Sequence, residues 1–363
     1  MGMEDKKLKI GVLSVYNGVV DRGAETFVKE LSRRLSQNHD VVVFQSGVSQ
    51  TEPYRVERIL IDHDQSHHAK TTIFLSRLFL DYKSRQILYF SLKAFARIYR
   101  GNYDVVIPMN GGWMSFVVRI ATWLSGAKMV ISGQSGIGWD DRINLFTFPD
   151  AFIGLSSLAC RWAKKANRFV RIEQIPNGVD TSKFKKLGTR LKLNLKGPVI
   201  LCVAALEEGK RIGLAINAVS QLGEASLLVV GDGGLRERIY KMGKKKLGNR
   251  FKLIKQPYEK MPAVYRSANV LTSVSRRQYS FEMVLTEAMA SNLPVVATDD
   301  PIRNEIVGDG GVLVDPEDIS AYVKALKYAL TSNWGSKPRN QAMKFDWDII
   351  TKKYEDLFLK LCK

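Results

Sequence analysis

Short apolar runs alternate with longer amphipathic segments along almost the whole chain. Ile10–Val15 and Val41–Phe44 are apolar runs rich in Val, and the segment between them, Glu25–Leu35, has apolar residues at helical spacing. Continuous apolar strands separated by helices are typical of parallel sheets that are covered on both faces. The pattern therefore predicts an α/β protein.

The alternation pauses once, in the middle of the chain. Ile175–Asp180 contains Pro, Asn and Gly in succession, and the Lys-rich segment Ser182–Lys196 follows. Strands and helices resume at Val199–Val203 and end with two helices. We therefore predict two doubly wound, Rossmann-like domains, 1–178 and 179–345, with a last helix over about 346–363 that packs back on the first domain.

The composition is that of a globular protein. Hydrophobic residues make up 45% and charged residues 25% of the 363 residues, which argues against a disordered or membrane-spanning chain. The most apolar stretch, Val105–Leu124, is interrupted by Asn110 and Arg119, so it predicts a buried strand, a Gly-rich turn and a buried helix. The Leu8–Val15 strand pattern is not preceded by the sections of a secretory signal. We expect a cytoplasmic protein.

Neither cysteine nor histidine predicts a metal site. Cys160, Cys202 and Cys362 lie far apart without a C-x-x-C pair, so they suggest reduced thiols. His39 fits the polar edge of a turn before a strand. The spacing of the remaining histidines, His63, His67 and His68, matches no standard ligand set and favours a solvated loop.

The charge is unusual, because 55 Lys and Arg face 36 Asp and Glu, a net of +19. Such a surface favours phosphorylated donors, acidic lipid headgroups or nucleic acid. Between His68 and Tyr103, cations such as Lys93 and Arg97 are interleaved with aromatic residues. This stretch fits either two core helices, which we favour, or a helix lying on the anionic inner face of the plasma membrane.

Three loops follow predicted strands, where α/β sheets bind ligands. Gly23 precedes a helix and allows a close backbone approach, although an ordinary turn explains it as well. Lys210 and Arg211 suit a diphosphate, or belong to a solvated basic loop. A helix that opens near Phe281 would aim its amides at a phosphate. Farther along it, Glu287 lies among apolar residues and needs a partner, which a ribose diol could supply.

Several motifs occur in a fixed order and carry a family resemblance. They are Arg22–Glu25, Pro176–Asp180, Lys210–Arg211, Gly231–Gly233 and Glu287–Thr298. In this order they resemble the large retaining GT-B glycosyltransferase family, often called family 4, which includes glycogen synthases and many lipopolysaccharide and capsule enzymes. The resemblance covers essentially the whole chain. It implies the GT-B fold, in which an N-terminal acceptor domain faces a C-terminal nucleotide-sugar donor domain across a cleft.

The resemblance also implies roles for individual residues. Lys210 falls at the donor-phosphate lysine and Glu287 at the ribose-binding glutamate, and with Arg211 they form the predicted catalytic set. The predicted donor-binding positions are Gly23, Gly233, Gln256, Tyr258, Tyr279, Phe281, Glu282, Met283, Val284 and Glu287. The family transfers sugar with retained anomeric configuration and requires neither a metal nor another cofactor.

Some positions depart from the family pattern. Ala205 stands where the family has an arginine, Tyr279 replaces the first glutamate of the paired motif, and Glu282 replaces the glycine between the pair. The loop Ser132–Gly138 also lacks the histidine of many members. Gln134 and Asp140, with the neighbouring Asp141, are the predicted acceptor-side contacts.

These observations predict a transferase that moves a sugar from a UDP- or GDP-sugar to a saccharide or lipid-linked acceptor. The product would be a cell-surface polysaccharide, lipopolysaccharide or glycolipid. A nucleotide-sugar epimerase is disfavoured because the loops are poor in histidine. A relative that binds the donor without turnover and a basic nucleic-acid-binding protein are the remaining alternatives. We expect no specific nucleic-acid partner.

Overall fold

The chain forms two compact units. In the computed structural model, which describes residues 6–20, 23–48, 51–61, 79–277 and 281–363, one unit comprises Met1–Pro176 with Asp348–Lys363 and the other comprises Asn177–Trp347.

The first unit contains a seven-stranded parallel sheet with the order β3-β2-β1-β4-β5-β6-β7. Its strands are β1 (Lys9–Ser14), β2 (Asp40–Gln45), β3 (Arg55–Arg58), β4 (Val105–Pro108), β5 (Lys128–Ser132), β6 (Ala151–Gly154) and β7 (Ile172–Gln174). Its helices within the first 176 residues are α1 (Gly23–Leu35), α2 (Tyr82–Arg100), α3 (Trp113–Ser125), α4 (Trp139–Phe146) and α5 (Ser157–Ala166).

The second unit contains a six-stranded parallel sheet with the order β10-β9-β8-β11-β12-β13. Its strands are β8 (Val199–Val203), β9 (Ser226–Val230), β10 (Phe251–Ile254), β11 (Val270–Ser273), β12 (Val295–Thr298) and β13 (Gly311–Val314). Its helices are α6 (Ile212–Ser220), α7 (Arg236–Leu247), α8 (Met261–Tyr265), α9 (Met283–Ala290), α10 (Pro301–Val307), α11 (Ile319–Thr331) and α12 (Lys337–Met343). The last helix, α13 (Trp347–Leu361), belongs to the first unit from Asp348 onwards.

The predicted fold class is confirmed, because both sheets are doubly wound and parallel. In each sheet the strand order reverses beside the first strand of the unit, between β1 and β4 and between β8 and β11. Loops at the carboxyl ends of such neighbouring strands diverge, which opens the crevice where α/β folds bind ligands.

Short polar side chains fix the starts of several helices. Side-chain oxygens of Asp81, Ser156, Asp300 and Asp318 accept hydrogen bonds from backbone N–H groups two or three residues later. These N-caps satisfy donors that have no partner inside the helix.

Helix α13 packs within the first unit. The ring of Tyr354 contacts Phe27 of α1 edge-on, with centroids 5.9 Å apart, and its hydroxyl lies 3.2 Å from the hydroxyl of Ser132. Asn38 donates to the Glu355 carboxylate at 3.1 Å. The last helix therefore covers the α1 side of the first sheet.

The prediction for Val105–Leu124 is wrong in one respect. The strand, the turn and the helix are present as β4, residues 109–112 and α3, but α3 is not buried on all sides, because Phe116, Ile120, Trp123 and Leu124 are exposed. Its other face fills the core and these four side chains face outward. No helix among the described residues is both long enough and apolar enough to cross a membrane.

The basic aromatic stretch is described only in part. Residues 82–100 form the single amphipathic helix α2, with Phe90, Ala94 and Ile98 in the core. His63, His67, His68 and residues up to 78 lie outside the described residues. His39 is buried at the start of β2 and its Nδ1 accepts from the Leu8 N–H at 3.3 Å. No disulfide joins Cys160, Cys202 and Cys362, all of which lie in the described part of the chain.

Candidate active site

An ion pair joins the loops that follow the neighbouring strands β8 and β11. The β8 loop ends in the 3-10 turn Glu208–Lys210, and the β11 loop leads into α9 at Glu282. Nζ of Lys210 lies 3.0 Å from Oε1 of Glu282. The topology thus brings two of the predicted residues together at the carboxyl edge of the second sheet.

Glu282 is the centre of a buried charge cluster. Its second carboxylate oxygen accepts from Nε of Arg303 at 3.0 Å and from the Ser273 hydroxyl at 3.0 Å. Arg303 lies in the first turn of α10 and also forms an ion pair with Asp300. Burial alone would raise the pKa of Glu282, but the charges of Arg303 and Lys210 lower it to about 2. The carboxylate is therefore ionised at neutral pH.

Glu282 also adopts a backbone conformation that usually selects glycine. Its φ of 44° and ψ of 71° lie in the left-handed region, immediately before α9. The family pattern has glycine at this position. The ion pairs with Arg303 and Lys210 offset the strain of placing a larger residue there.

Lys210 remains partly accessible while Glu282 is enclosed. The exposed fraction of the Lys210 side chain is 16%, against 1% for Glu282. Met283 and Val284 form the first turn of α9, whose N–H groups have no acceptor within the helix. A cation and a helix N-terminus therefore lie together, and both favour an anionic ligand.

Arg211 follows Lys210 but points elsewhere. It has a left-handed φ of 49°, and its Nε and Nη2 atoms donate to the carbonyl oxygens of Val274 at 2.8 Å and Ser275 at 3.1 Å. Its Nη1 pairs with Glu317 at 2.8 Å. In this arrangement Arg211 fixes the β11 loop. Its predicted role in catalysis stays a prediction.

Glu287 lies in α9 and is buried, with 5% of its surface exposed. The hydroxyl of Tyr265, at the end of α8, donates to Oε2 of Glu287 at 2.6 Å. Burial, the Glu287 charge and this hydrogen bond raise the pKa of Tyr265 well above its ordinary value. The sequence indicated that this carboxylate needs a partner, and the structure supplies Tyr265 as one.

Two glycines let the loops after β8 and β9 approach closely. At Gly233, where φ is 153°, an added Cβ would lie 2.8 Å from the carbonyl oxygen of Leu206. At Gly231, where φ is 159°, it would overlap the carbonyl oxygen of Ala204. Gly233 therefore shapes the loop next to exposed Ala205, where the family has its arginine.

The remaining predicted donor residues have different surroundings. Gln256 is half-buried after β10, and the half-buried Tyr258 lies under Lys183, whose Nζ is 4.0 Å from the ring centroid. Phe281 is buried against Phe345, with ring centroids 5.7 Å apart, so its side chain anchors the β11 loop. Tyr279 lies outside the described residues.

In the first unit, Gly23 is the exposed first residue of α1, and Gln134 donates to the Ser132 hydroxyl at 2.9 Å. Asp140 is exposed in the first turn of α4. Its neighbour Asp141 is buried.

Asp141 belongs to a polar network at the carboxyl end of β5. Asn144 donates to Oδ1 of Asp141 at 3.1 Å and accepts from the Ser115 hydroxyl at 2.9 Å. Burial raises the pKa of Asp141 to about 7, although the hydrogen bond from Asn144 opposes the rise. Asp141 is therefore a buried carboxyl group whose pKa lies near neutral pH.

The sequence alone indicates no role in the site for Arg303, Asp300 or Tyr265. Asp300 and Pro301 carry a helix-start signal that places Arg303 in a first turn. Nothing in the spacing indicates that Arg303 reaches Glu282 or that Tyr265 reaches Glu287. No group of three or more His, Cys, Asp or Glu side chains is placed to hold a metal within the described part of the chain.

Comparison with known proteins defines the class. Residues 184–345 match Glycosyl transferases group 1, and residues 22–183 match Glycosyltransferase Family 4. The two matches together cover most of both units, and the doubly wound pair of sheets is the GT-B fold. The chain belongs to glycosyltransferase family 4.

One relative by sequence and two solved structures illustrate the similarity. The phosphatidyl-myo-inositol mannosyltransferase of Mycolicibacterium smegmatis is 28% identical over 213 residues, which are 55% of this chain and 54% of that protein. Sucrose-phosphate synthase from Thermosynechococcus elongatus superposes with a TM-score of 0.76 at 20% identity, covering 98% of this chain and 99% of that one. Anabaena HepE, in complex with UDP and glucose, superposes with a TM-score of 0.74 at 17% identity, covering 96% of this chain and 99% of that one. The chain spans about half or less of the length of the relatives matched by sequence.

Proposed function

We propose that the protein is a retaining glycosyltransferase. It moves a sugar from a UDP- or GDP-sugar to a saccharide or lipid-linked acceptor, in the synthesis of a cell-surface polysaccharide, lipopolysaccharide or glycolipid. The observation that carries the proposal is the pairing of accessible Lys210 with Glu282 at the first turn of α9. This arrangement suits the diphosphate of a nucleotide-sugar.

The proposed chemistry follows from the charges. When the bond between the anomeric carbon and the donor oxygen breaks, its electron pair leaves with the nucleoside diphosphate. Lys210 and the N-terminus of α9 stabilise this developing negative charge. The acceptor hydroxyl oxygen forms the new bond to the anomeric carbon with retained configuration, its O–H bond breaks, and the proton passes to the leaving diphosphate. We propose that this step uses no metal or other cofactor, because the resemblance implies none and the chain supplies cationic groups at the site.

Glu282 prepares Lys210 for this role. The enclosed carboxylate is held by Arg303 and Ser273, so it fixes the direction of the lysine before a donor binds. A preformed cation loses less side-chain entropy on binding than a mobile one. Part of the Lys210 charge is neutralised in return, and the incoming diphosphate has to compete with Glu282.

Glu287 is the proposed ribose-binding residue. Its carboxylate is enclosed in α9 and fixed by the Tyr265 hydroxyl. A fixed carboxylate recognises a diol with more precision than a mobile surface side chain does.

The acceptor is proposed to be a lipid-linked or saccharide molecule at the cytoplasmic face of a membrane. One relative is named as a mannosyltransferase that acts on phosphatidyl-myo-inositol, which is a lipid. The net charge of +19 also favours anionic surfaces. UDP is bound in a structural neighbour, which makes UDP the first nucleotide to test.

A thermal-shift panel of UDP, GDP, CMP and their common sugar conjugates at fixed salt tests the donor site. We expect selective stabilisation by one nucleoside diphosphate and its loss in Glu287→Gln. No stabilisation by any compound would contradict the donor site. Stabilisation without sugar transfer to any acceptor would instead identify a donor-binding but inactive relative, which the departures at Ala205 and Tyr279 make worth testing.

A further inference from the structure

The outward face of α3 is apolar, which is unusual for a helix that covers a sheet. Phe116, Ile120, Trp123 and Leu124 are exposed by 44%, 50%, 63% and 62%; we call these four residues the α3 face. The opposite side of the helix already fills the core with residues such as Val118. A helix at the surface of a globular domain ordinarily turns polar residues outward. The α3 face therefore exposes more apolar surface than the fold requires.

The α3 face carries little charge of its own. Arg119 is the one charged residue in the sequence of α3. Nη1 of its guanidinium lies 2.7 Å from Oδ2 of Asp150. Its Cζ lies over the Trp123 ring, 4.8 Å from the centroid. Phe148, two residues before Asp150, is also 45% exposed.

Cations border this apolar surface. Helix α2 packs alongside α3, and right-handed crossovers from β3 to β4 and from β4 to β5 place both helices on the same side of the first sheet. The outward side of α2 exposes Arg85, Lys93 and Arg100 together with Tyr89 and Leu92. An apolar centre is therefore next to a basic rim that also contains an aromatic ring.

We propose that the α3 face is a membrane-docking surface that inserts shallowly into an anionic bilayer, with the α2 cations on the lipid headgroups. Apolar and aromatic side chains enter the boundary between headgroups and acyl chains, and each nearby cation adds electrostatic attraction. The proposal deepens the proposed function, since it names the surface that would bring the site to a lipid-linked acceptor.

A second copy of the chain is a poorer occupant of the α3 face. Two copies that met through these faces would also bring their α2 cations together, and the like charges would repel. The net charge of +19 adds to this repulsion. An anionic bilayer complements both the apolar centre and the basic rim.

Flotation with vesicles tests the proposal. Vesicles of phosphatidylcholine alone are compared with vesicles that also contain phosphatidylglycerol, for the wild type and the double variant Ile120→Glu/Trp123→Glu. Tyr240→Glu is the matched control, because Tyr240 is 45% exposed on α7 in the second unit. We expect the wild type and the control to bind anionic vesicles, and the double variant to bind at least about tenfold more weakly. Equal binding by the double variant would overturn the proposal, as would a wild type that does not bind.

A positional readout separates insertion from electrostatic adsorption. Brominated lipids should quench part of the tryptophan fluorescence of the wild type, and Trp123→Phe should keep vesicle binding but lose most of that quenching. Unchanged quenching in Trp123→Phe would show that another surface inserts.

Two further measurements identify the other outcomes. A wild-type dimer that the double variant converts to a monomer, with vesicle binding unchanged, would make the α3 face a subunit interface and overturn the proposal. Stabilisation by nucleotide, measured without lipid, should be the same in the wild type and the double variant. Its absence in both proteins would contradict the donor site but leave the vesicle result to decide the docking surface.

Discussion

Lys210 and Glu282 form an ion pair with Nζ and Oε1 3.0 Å apart, in which only the lysine is accessible to solvent. The other carboxylate oxygen of Glu282 accepts hydrogen bonds from Arg303, at 3.0 Å, and from Ser273. The two residues therefore have different roles: the enclosed carboxylate of Glu282 positions Lys210, and Lys210 presents its charge to a bound ligand. Substitutions at the two residues should have different consequences, one mainly on the reaction and the other mainly on folding.

Lys210→Ala should impair sugar transfer more than it impairs folding. Losing one charge-assisted contact to the donor diphosphate should lower kcat/KM by about 30- to 100-fold, because such a contact contributes about 2–3 kcal/mol. Glu282 keeps Arg303 as a partner, so the fall in stability should be only about 1 kcal/mol. Kinetics and urea unfolding measure the two effects. Lys241→Ala, at an exposed lysine paired with Glu237, is the control, and an unchanged rate in Lys210→Ala would remove the lysine from the mechanism.

Glu282→Gln should destabilise the fold, and the loss should depend on pH. The substitution leaves the buried Arg303 with one fewer carboxylate, which costs about 3–5 kcal/mol in comparable buried pairs. Because the pKa of Glu282 is lowered from 4.5 to about 2, its stabilisation is complete above its ordinary pKa and is lost as pH falls towards 2. The difference in unfolding free energy between wild type and variant should therefore shrink between about pH 5 and about pH 3. A difference that is constant over this range would show that Glu282 does not ionise as described.

Asp141→Asn should show the opposite pH dependence. Burial raises the pKa of Asp141 from 3.8 to about 7, so the folded protein keeps a proton that the unfolded chain has released. The contribution of Asp141 to stability is then complete below its ordinary pKa and is lost as pH rises through 7. Relative to the wild type, the variant should gain up to about 3 kcal/mol in unfolding free energy between about pH 5 and about pH 8.

Asp140→Asn is the matched control for this experiment. Asp140 is adjacent in sequence and exposed. Burial raises the pKa of Asp140 as well, but less than that of Asp141, so its substitution should change the pH profile less. If both variants shifted the profile equally, the effect would arise from the charge of the α4 N-terminus and not from the buried carboxyl group.

The strands were predictable where both faces of the sheet are covered. Val199–Val203 has the predicted bounds, because a buried strand is a continuous apolar run. β3 (Arg55–Arg58) and β7 (Ile172–Gln174) were missed, because they lie at the sheet edges and contain mainly polar residues. The outward face of α3 was misjudged for a related reason, since an apolar helix sequence does not show which side lacks a neighbour.

Candidate site residues could be predicted only where they follow the end of a predicted strand or belong to a motif that is continuous in sequence. The sequence singles out Lys210 through a loop that follows a strand and Glu287 through a family motif, and their roles stay predictions. The direction of Arg211 depends on its left-handed backbone, with φ at 49°, and sequence spacing does not determine that. The contact of Glu282 with Arg303 requires two loops that meet only in the folded sheet. Long-range partners of this kind follow from packing and not from local pattern.

Tyr265 and Glu287 should act as one unit in nucleotide binding. The Tyr265 hydroxyl donates to Glu287 at 2.6 Å in a buried setting, so Tyr265→Phe removes a hydrogen bond that helps to fix the position of the carboxylate. We expect Tyr265→Phe to weaken the binding of the preferred nucleoside diphosphate by about tenfold, which corresponds to the loss of one hydrogen bond to a charged group. Glu287→Gln should weaken it by at least as much. Calorimetric titration of the single and double variants measures both effects.

The double variant decides whether the two residues are coupled. If Tyr265 acts only by holding Glu287, adding Tyr265→Phe to Glu287→Gln should cause little further loss, because the charge that it positions is already absent. Fully additive losses would mean that Tyr265 affects binding by another route. Tyr322→Phe is the matched control, because Tyr322 is equally buried in the same unit and its hydroxyl lies 2.5 Å from the Thr272 hydroxyl. That variant should lose stability without losing nucleotide affinity, which separates loosening of the fold from loss of the ribose contact.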